Sequence, residues 1–373
     1  MANTDFAVLQ PQEKVVWVKE TLKAMRDDNF FGKFTGTGDK SIVQEVRELS
    51  VNNKGATTAQ ISLVHDLKGT GVGGDATLLG NEEAMDSSYI SITYDQLRHA
   101  VMNTGKLNDQ KSVLSFREFA KERLGQWASN VIEEFLFLTA TGVSYDLNLD
   151  GSARTVLAGQ SAWSTLDFAP DLSASTSARH FNWNGTALVA GDTTTVTAGY
   201  IPTYKMLLQL KATAMVRGLK PLKLSGSPMF VLVMEPRAFA LLKADPDFRT
   251  NFTQGAPRDL NSKIFTGMDG ITTDGIIIHT SNKVFNTSGA ANGSKWGAGG
   301  LVDGCANLLL GAQALAMVNI HSGFEWNEEW IDYKNKGGIS VGMMIGFRKP
   351  KFKSAKDGNT VQDFGIMRVN TAI

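Results

Sequence analysis

Gly69-Thr70-Gly71-Val72-Gly73-Gly74 spells the G-x-G-x-x-G string of a dinucleotide site, and it follows an extended run. In such a site the glycines let the backbone turn tightly and approach a pyrophosphate at a helix N-terminus. Here the next residues are weakly helical and carry Asp75, Glu82, Glu83 and Asp86, whose charges repel phosphate. Another extended run comes next rather than a helix. The string reads as the tip of a hairpin.

Gly338-Ile339-Ser340-Val341-Gly342 matches a nucleophile elbow, a chemistry that needs a helix after the serine, then an acidic residue, then a histidine. Met343–Pro350 is strand-like, and the last histidine, His321, precedes the serine. Asp363-Phe364-Gly365 mimics a kinase metal motif with no His-Arg-Asp loop before it. Thr37-Gly38-Asp39-Lys40-Ser41 falls short of a phosphate loop because Asp39 separates the glycine from the lysine. All are read as coincidences of composition.

The five histidines are His65, His99, His180, His279 and His321, and the nearest two stand 34 positions apart. No local metal pair exists among them. The single cysteine, Cys305, has apolar neighbours and reads as a core residue. It also excludes an internal disulfide or a multi-thiolate zinc site. Arg348, Lys349, Lys351, Lys353 and Lys356 form a basic run that fits either a phosphate backbone or a charged sheet edge. No cofactor is expected.

The elements that would have to position such groups follow from patterning. The chain has 373 residues, with 37 basic and 37 acidic side chains, so no global charge draws it to nucleic acid or anionic lipid. The first twenty residues carry Asp5, Glu13, Lys14, Lys19 and Glu20, and no apolar stretch is long enough to span a bilayer. A soluble chain made inside the cell, without a membrane partner, is expected. Glycine is frequent at 37 residues and proline scarce at nine, a pairing that suits turns and strand kinks.

Val15, Trp17, Val18, Leu22 and Met25 make a short amphipathic stripe in a charge-balanced N-terminal segment, 1–54. Ala59–Leu67 and Ser88–Tyr94 alternate apolar and polar residues, as half-buried strands do, around a long glycine-rich connection. From Ser112 to Ala140 apolar residues recur every three or four positions, including Phe116, Leu124, Trp127, Val131 and Phe135. Ser115 with Glu118 reads as a capping box and Gly142 as a stop, predicting a rod of roughly 40 Å. Residues 151–200 are more than half Gly, Ala, Ser and Thr, and read as an inserted, decorated surface region. Tyr200–Gly218 returns to helical spacing, and short strand-like runs follow at Met229–Met234, Ile276–His279, Leu308–Ile320, Ile339–Phe347 and Phe364–Val369. The class is α+β.

The stretch KGTGVGGDATLLGNEEAMDSSYISITYDQLRHAVMNTGKLNDQKS, with REFAKERLGQWASNVIEEFLF after it, resembles the N-four-type major capsid family of tailed phages. The N-terminal KVVWVKE…FFGKFTG and the closing DFGIMRVNTA are similar to that family's ends. The resemblance implies the Hong Kong ninety-seven-like capsid fold. It would place an N-terminal arm at 1–54 and an E-loop hairpin at 55–101. The peripheral domain with its spine helix would take 102–150 and 336–373, and the axial domain with surface insertions 151–335. It implies inter-subunit contacts at Gly69, Gly71, Gly74, Asp75, Asn81, Glu82 and Glu83, and a spine-helix core at Phe116, Leu124, Trp127, Val131 and Phe135. Implied partners are further copies in hexamers and pentamers, scaffolding, portal and decoration proteins, and double-stranded DNA on the inner face of a virion head. A tail or decoration component and a nucleotide-binding enzyme are the alternatives. Replacing Ser340 or Asp363 by Ala is expected to leave shape and assembly unchanged in the electron microscope; loss of a measurable catalytic activity would revive the enzyme reading.

Overall fold

The computed structural model describes residues 30–38, 40–46, 58–64, 69–83, 87–111, 116–168, 178–224, 227–255, 271–354 and 360–373. The amphipathic stripe at 15–25, the Ser115 cap, His65 and Lys356 lie outside them. In chain order the first strands are β1 (Thr35–Gly36), β2 (Val43–Val46), β3 (Thr58–Val64), β4 (Ser87–Thr93) and β5 (Asp95–Met102). Helices α1 (Lys106–Lys111) and α2 (Phe116–Thr141) follow, then β6 (His180–Trp183) and β7 (Leu188–Ala190). Next come α3 (Tyr204–Val216), β8 (Leu222–Leu224), β9 (Ser227–Met234), α4 (Pro236–Ala244) and α5 (Pro246–Gly255). The last are β10 (Ile271–Thr273), β11 (Ile276–Thr280), β12 (Gly304–Leu310), β13 (Leu315–Ile331), β14 (Lys336–Arg348), β15 (Lys351–Ser354), β16 (Thr360–Asp363) and β17 (Ile366–Ala372).

The strands sort into a five-stranded sheet, β1-β2-β13-β14-β5, and a larger one, β10-β11-β9-β12-β17-β6-β7, with β8 on β9. The larger sheet has two buried faces, so its strands read as unbroken apolar runs. In β9, Val231 and Val233 join the core around α2, while Phe230, Leu232 and Met234 join a second core beneath α3 and α4. Helix α2 packs on β14 and β5 and also touches β12. Phe135 to Thr141 are therefore buried on every side of the helix. At its end Gly142 takes φ +71, with Val143 N–H on the Leu138 carbonyl and Gly142 N–H on that of Thr139. These are the two bonds of a Schellman stop, which a residue with a Cβ fits poorly.

Several boundaries differ from the sequence reading. The hairpin is β3 with β4, in register from Thr58↔Thr93 to Val64↔Ser87. Residues 95–102 leave it and pair with β14 from Ile345↔Asp95 to Gly338↔Met102. The division drawn at 335/336 cuts the β13–β14 hairpin, which pairs from Ala316↔Arg348 to Ile331↔Lys336 with a register shift between Ile320 and Glu325. Segment 336–373 is not one unit either, because β17 crosses to the larger sheet between β12 and β6. Region 151–200 is not merely surface: β6 lies in the larger sheet with Phe181 and Trp183 in its core, parallel to β17. Composition hid this strand, since polar and small residues dominate around four buried positions. The apolar stretch 308–320 is two strands, parted by a turn in which Gln313 takes φ +52.

The basic run does not form one patch. Arg348 donates to the Ser91 carbonyl at 2.8 Å, but Lys349 is buried against Asp363, N to O 3.9 Å, with both side chains 1% exposed. Asp363 is thus half of a buried ion pair and not a neutral surface position, which corrects the expectation that its alanine variant is silent. Removing one partner of such a pair leaves a buried charge uncompensated, whereas replacing both with apolar groups is often tolerated. Asp363→Ala is expected to lose about 3–5 kcal/mol of stability in denaturant titration. Lys349→Met combined with Asp363→Leu is expected to regain most of it.

Candidate assembly surfaces

The base of the β3–β4 hairpin is fastened to the body. Ala59, Ile61 and Ile92 pack with Ala316 and Val318 from the five-stranded sheet. Thr93 Oγ1 donates to the Asp167 carbonyl at 2.5 Å, and the Arg348 bond to Ser91 crosses the same place. The backbones meet so closely at Gly346 that a Cβ there would overlap the Thr93 carbonyl oxygen. Glycine is needed at that crossing for space, not for backbone freedom.

Beyond the strands, every residue from 69 to 83 is exposed. Gly69, Gly71, Gly74, Asp75, Asn81, Glu82 and Glu83 all lie on this tip. Its order comes from its own groups: Gly69 N–H donates to the Glu83 carboxylate, and Gly80 N–H to that of Glu82, both at 2.7 Å. Asn81 Nδ2 donates to the Thr77 carbonyl at 2.9 Å. Gly71, Gly74 and Gly80 take φ of +76, +66 and +88, where a side chain would be strained. No helix begins here, so the glycine string has no dipole with which to hold a phosphate. Leu78 is 62% exposed and Leu79 83%, an apolar pair facing solvent.

Of the helix positions singled out by spacing, Leu124 and Phe135 are fully buried; Phe116, Trp127 and Val131 are half-buried. Trp127 stacks on His99 of β5, ring centres 4.8 Å apart. Phe135 packs against Tyr145, Phe168 and Phe347.

Three features escaped the sequence reading. Buried Glu133 on α2 accepts the Phe30 N–H at 3.0 Å and pairs with Lys283, holding the start of the described N-terminal segment on the helix. A carboxylate in an apolar heptad is the signal that could have revealed it. At one end of the five-stranded sheet Met102, Leu107, Ile331 and Tyr333 are exposed beside a turn whose Asp332, Tyr333 and Lys334 all have positive φ. Asp146-x-Asn148-x-Asp150-Gly151 has the opening of a calcium loop, but Leu157 stands where that motif's glutamate would be. Its carboxylates are taken by serines: Ser164 N–H on Asp146 at 3.0 Å and Ser152 N–H on Asp150 at 2.9 Å. The Ser164 bonds hold Asp146 below the usual carboxylate range. Among the described residues no three His, Cys, Asp or Glu side chains are set to hold a metal ion. Buried Cys305 has its thiol pushed up to about 12 by burial, so it is no nucleophile.

Comparison with known proteins points in one direction. A family model described as phage capsid protein matches residues 5–373. The chain is 39% identical to the major capsid protein of Pseudomonas phage KPP25, over 99% of this chain and 97% of that one. Its fold is similar to the capsid of Ralstonia phage GP4, with TM-score 0.74 at 19% identity over 100% of this chain and 98% of the other. It is also similar to the Cyanophage Pam1 capsid asymmetric unit, with TM-score 0.69 at 18% identity over 92% and 91%.

Gly346→Ala is expected to leave the two sheets folded and to loosen the hairpin base. Faster amide exchange in β3 and β4 with unchanged exchange in β12 and β17 would register this. Equal protection in the variant would contradict the crossing constraint.

Proposed function

Belonging to the phage capsid protein family, this chain is a major capsid protein with the Hong Kong ninety-seven-like fold of tailed phages, and we propose that the tip at 69–83 makes its shell contacts. The observation that carries this reading is a hairpin anchored at its base while its tip keeps two leucines in solvent. Covering a leucine contributes roughly 1.5–3 kcal/mol, so one tip supplies a modest contact. A closed shell repeats that contact many times, and repetition rather than the strength of one site makes it stable.

On this reading the tip lies over a neighbouring copy within hexamers and pentamers, and Asp75, Glu82 and Glu83 choose its register by meeting basic groups there. The glycines let the tip take different angles in different positions of an icosahedral head. The exposed end near Tyr333 offers a second contact between copies. Scaffolding, portal and decoration proteins are the further partners. The chain is made in the host cytoplasm and ends in the virion, around double-stranded DNA. Zero net charge suits a wall that need not hold that genome tightly. Its role is physical, without catalysis: Ser340 lies mid-strand in β14, hydrogen-bonded to the Asn327 carbonyl.

Deleting Gly71–Glu83 is expected to leave a subunit with the parent's circular dichroism and thermal midpoint that no longer forms shells in negative-stain micrographs. Normal shells from this variant would overturn the assignment of the tip.

A further inference from the structure

We propose that His180 is an acid-sensitive latch: with Nε2 unprotonated it orients Asn370, and Asn370 orients the arginine that ties α2 to the larger sheet. The chain of contacts starts at the helix end. Arg368 Nη1 donates to the Thr141 carbonyl at 2.8 Å, and its Nε donates to Asn370 Oδ1 at 2.8 Å. With its oxygen committed, Asn370 must point its amide nitrogen the other way. That nitrogen lies 2.6 Å from His180 Nε2 and 2.8 Å from Asn182 Oδ1. Both neighbours must therefore accept, and a histidine nitrogen accepts only when it carries no proton. His180, Asn370, Asn182 and Arg368 are all buried, so water cannot substitute for a lost partner.

A proton on Nε2 sets two donors face to face. Turning the Asn370 amide does not help, because its nitrogen then faces the donating Arg368 Nε. The surrounding charges oppose the proton as well. Arg368 from β17 is a buried cation whose hydrogen bonds go to neutral oxygens. Lys349, just after β14, adds a second positive charge, while of the charged groups Asp192, in the turn after β7, favours protonation. Burial first and Arg368 next hold the His180 imidazole down to about 4. Histidine in an unfolded chain titrates near 6.5, so the unfolded state binds the proton first. Stability from the neutral latch is complete above about pH 6.5 and is lost as the pH falls towards 4.

The full-length chain tests this in two ways. In ¹³C-histidine spectra, the signal missing from the His180→Gln variant should keep its neutral shift down to pH 5 while the chain stays folded. In acid titration followed by tryptophan fluorescence, His180→Gln should move the midpoint about one pH unit lower, since its amide oxygen still accepts from Asn370 but binds no proton. At pH 5 the variant should also slow amide exchange at 141–143 relative to the parent. A folded variant with an unchanged midpoint would overturn the latch. So would a His180 signal titrating near 6.5 in the folded parent, and that second measurement decides the matter if the variant does not fold.

Discussion

The last two turns of α2 are buried around their whole circumference, and that single fact dictates the rest of the body. A helix on a surface needs one covered stripe, but Phe135–Thr141 need cover on every side. Strands of both sheets and the Tyr145–Phe168 loop supply it. The larger sheet, having given one face to this helix, must cover its other face with α3 and α4. Two cores back to back follow, and they account for strands such as β9 and β12 that are buried on both faces.

Enclosing a helix end creates a polar problem that only specific residues solve. The last carbonyls of α2 have no intrahelical partner, and water cannot reach them. Gly142 and Val143 satisfy two, and Arg368 reaches in from β17 to satisfy Thr141. Farther back, Glu133 answers Phe30 and Lys283. The polar residues of the interior are thus fasteners between the helix and segments distant in sequence. Each is costly to leave unpaired, so each also restricts which packing is allowed.

The hairpin obeys the opposite logic. Its base is pinned by Ile61 and Ile92 and by the close crossing at Gly346, while bonds within the tip, such as Gly69 N–H to Glu83, give the tip its order. Leucines left in water on a locally ordered loop are an incomplete surface, the kind that the proposed contact with a neighbouring copy would complete. On the proposed reading, body and tip divide the work between the fold and the contacts between copies.

Local pattern carried much of this. The heptad spacing from Phe116 to Phe135, the Gly142 stop, the alternation in β3 and β4 and the glycines of the tip are short-range signals. They follow from backbone geometry and amphipathicity within a dozen residues, so the chain by itself determined its long helix and its hairpin. The tertiary structure decided which strands are neighbours. Nothing local in HFNW says that it lies beside β17, because that pairing joins residues nearly two hundred positions apart. The same distance hid Arg368 and His180, which look like ordinary polar residues until β17 crosses between β12 and β6. Their roles depend on burial, and burial is a property of how all the elements pack together.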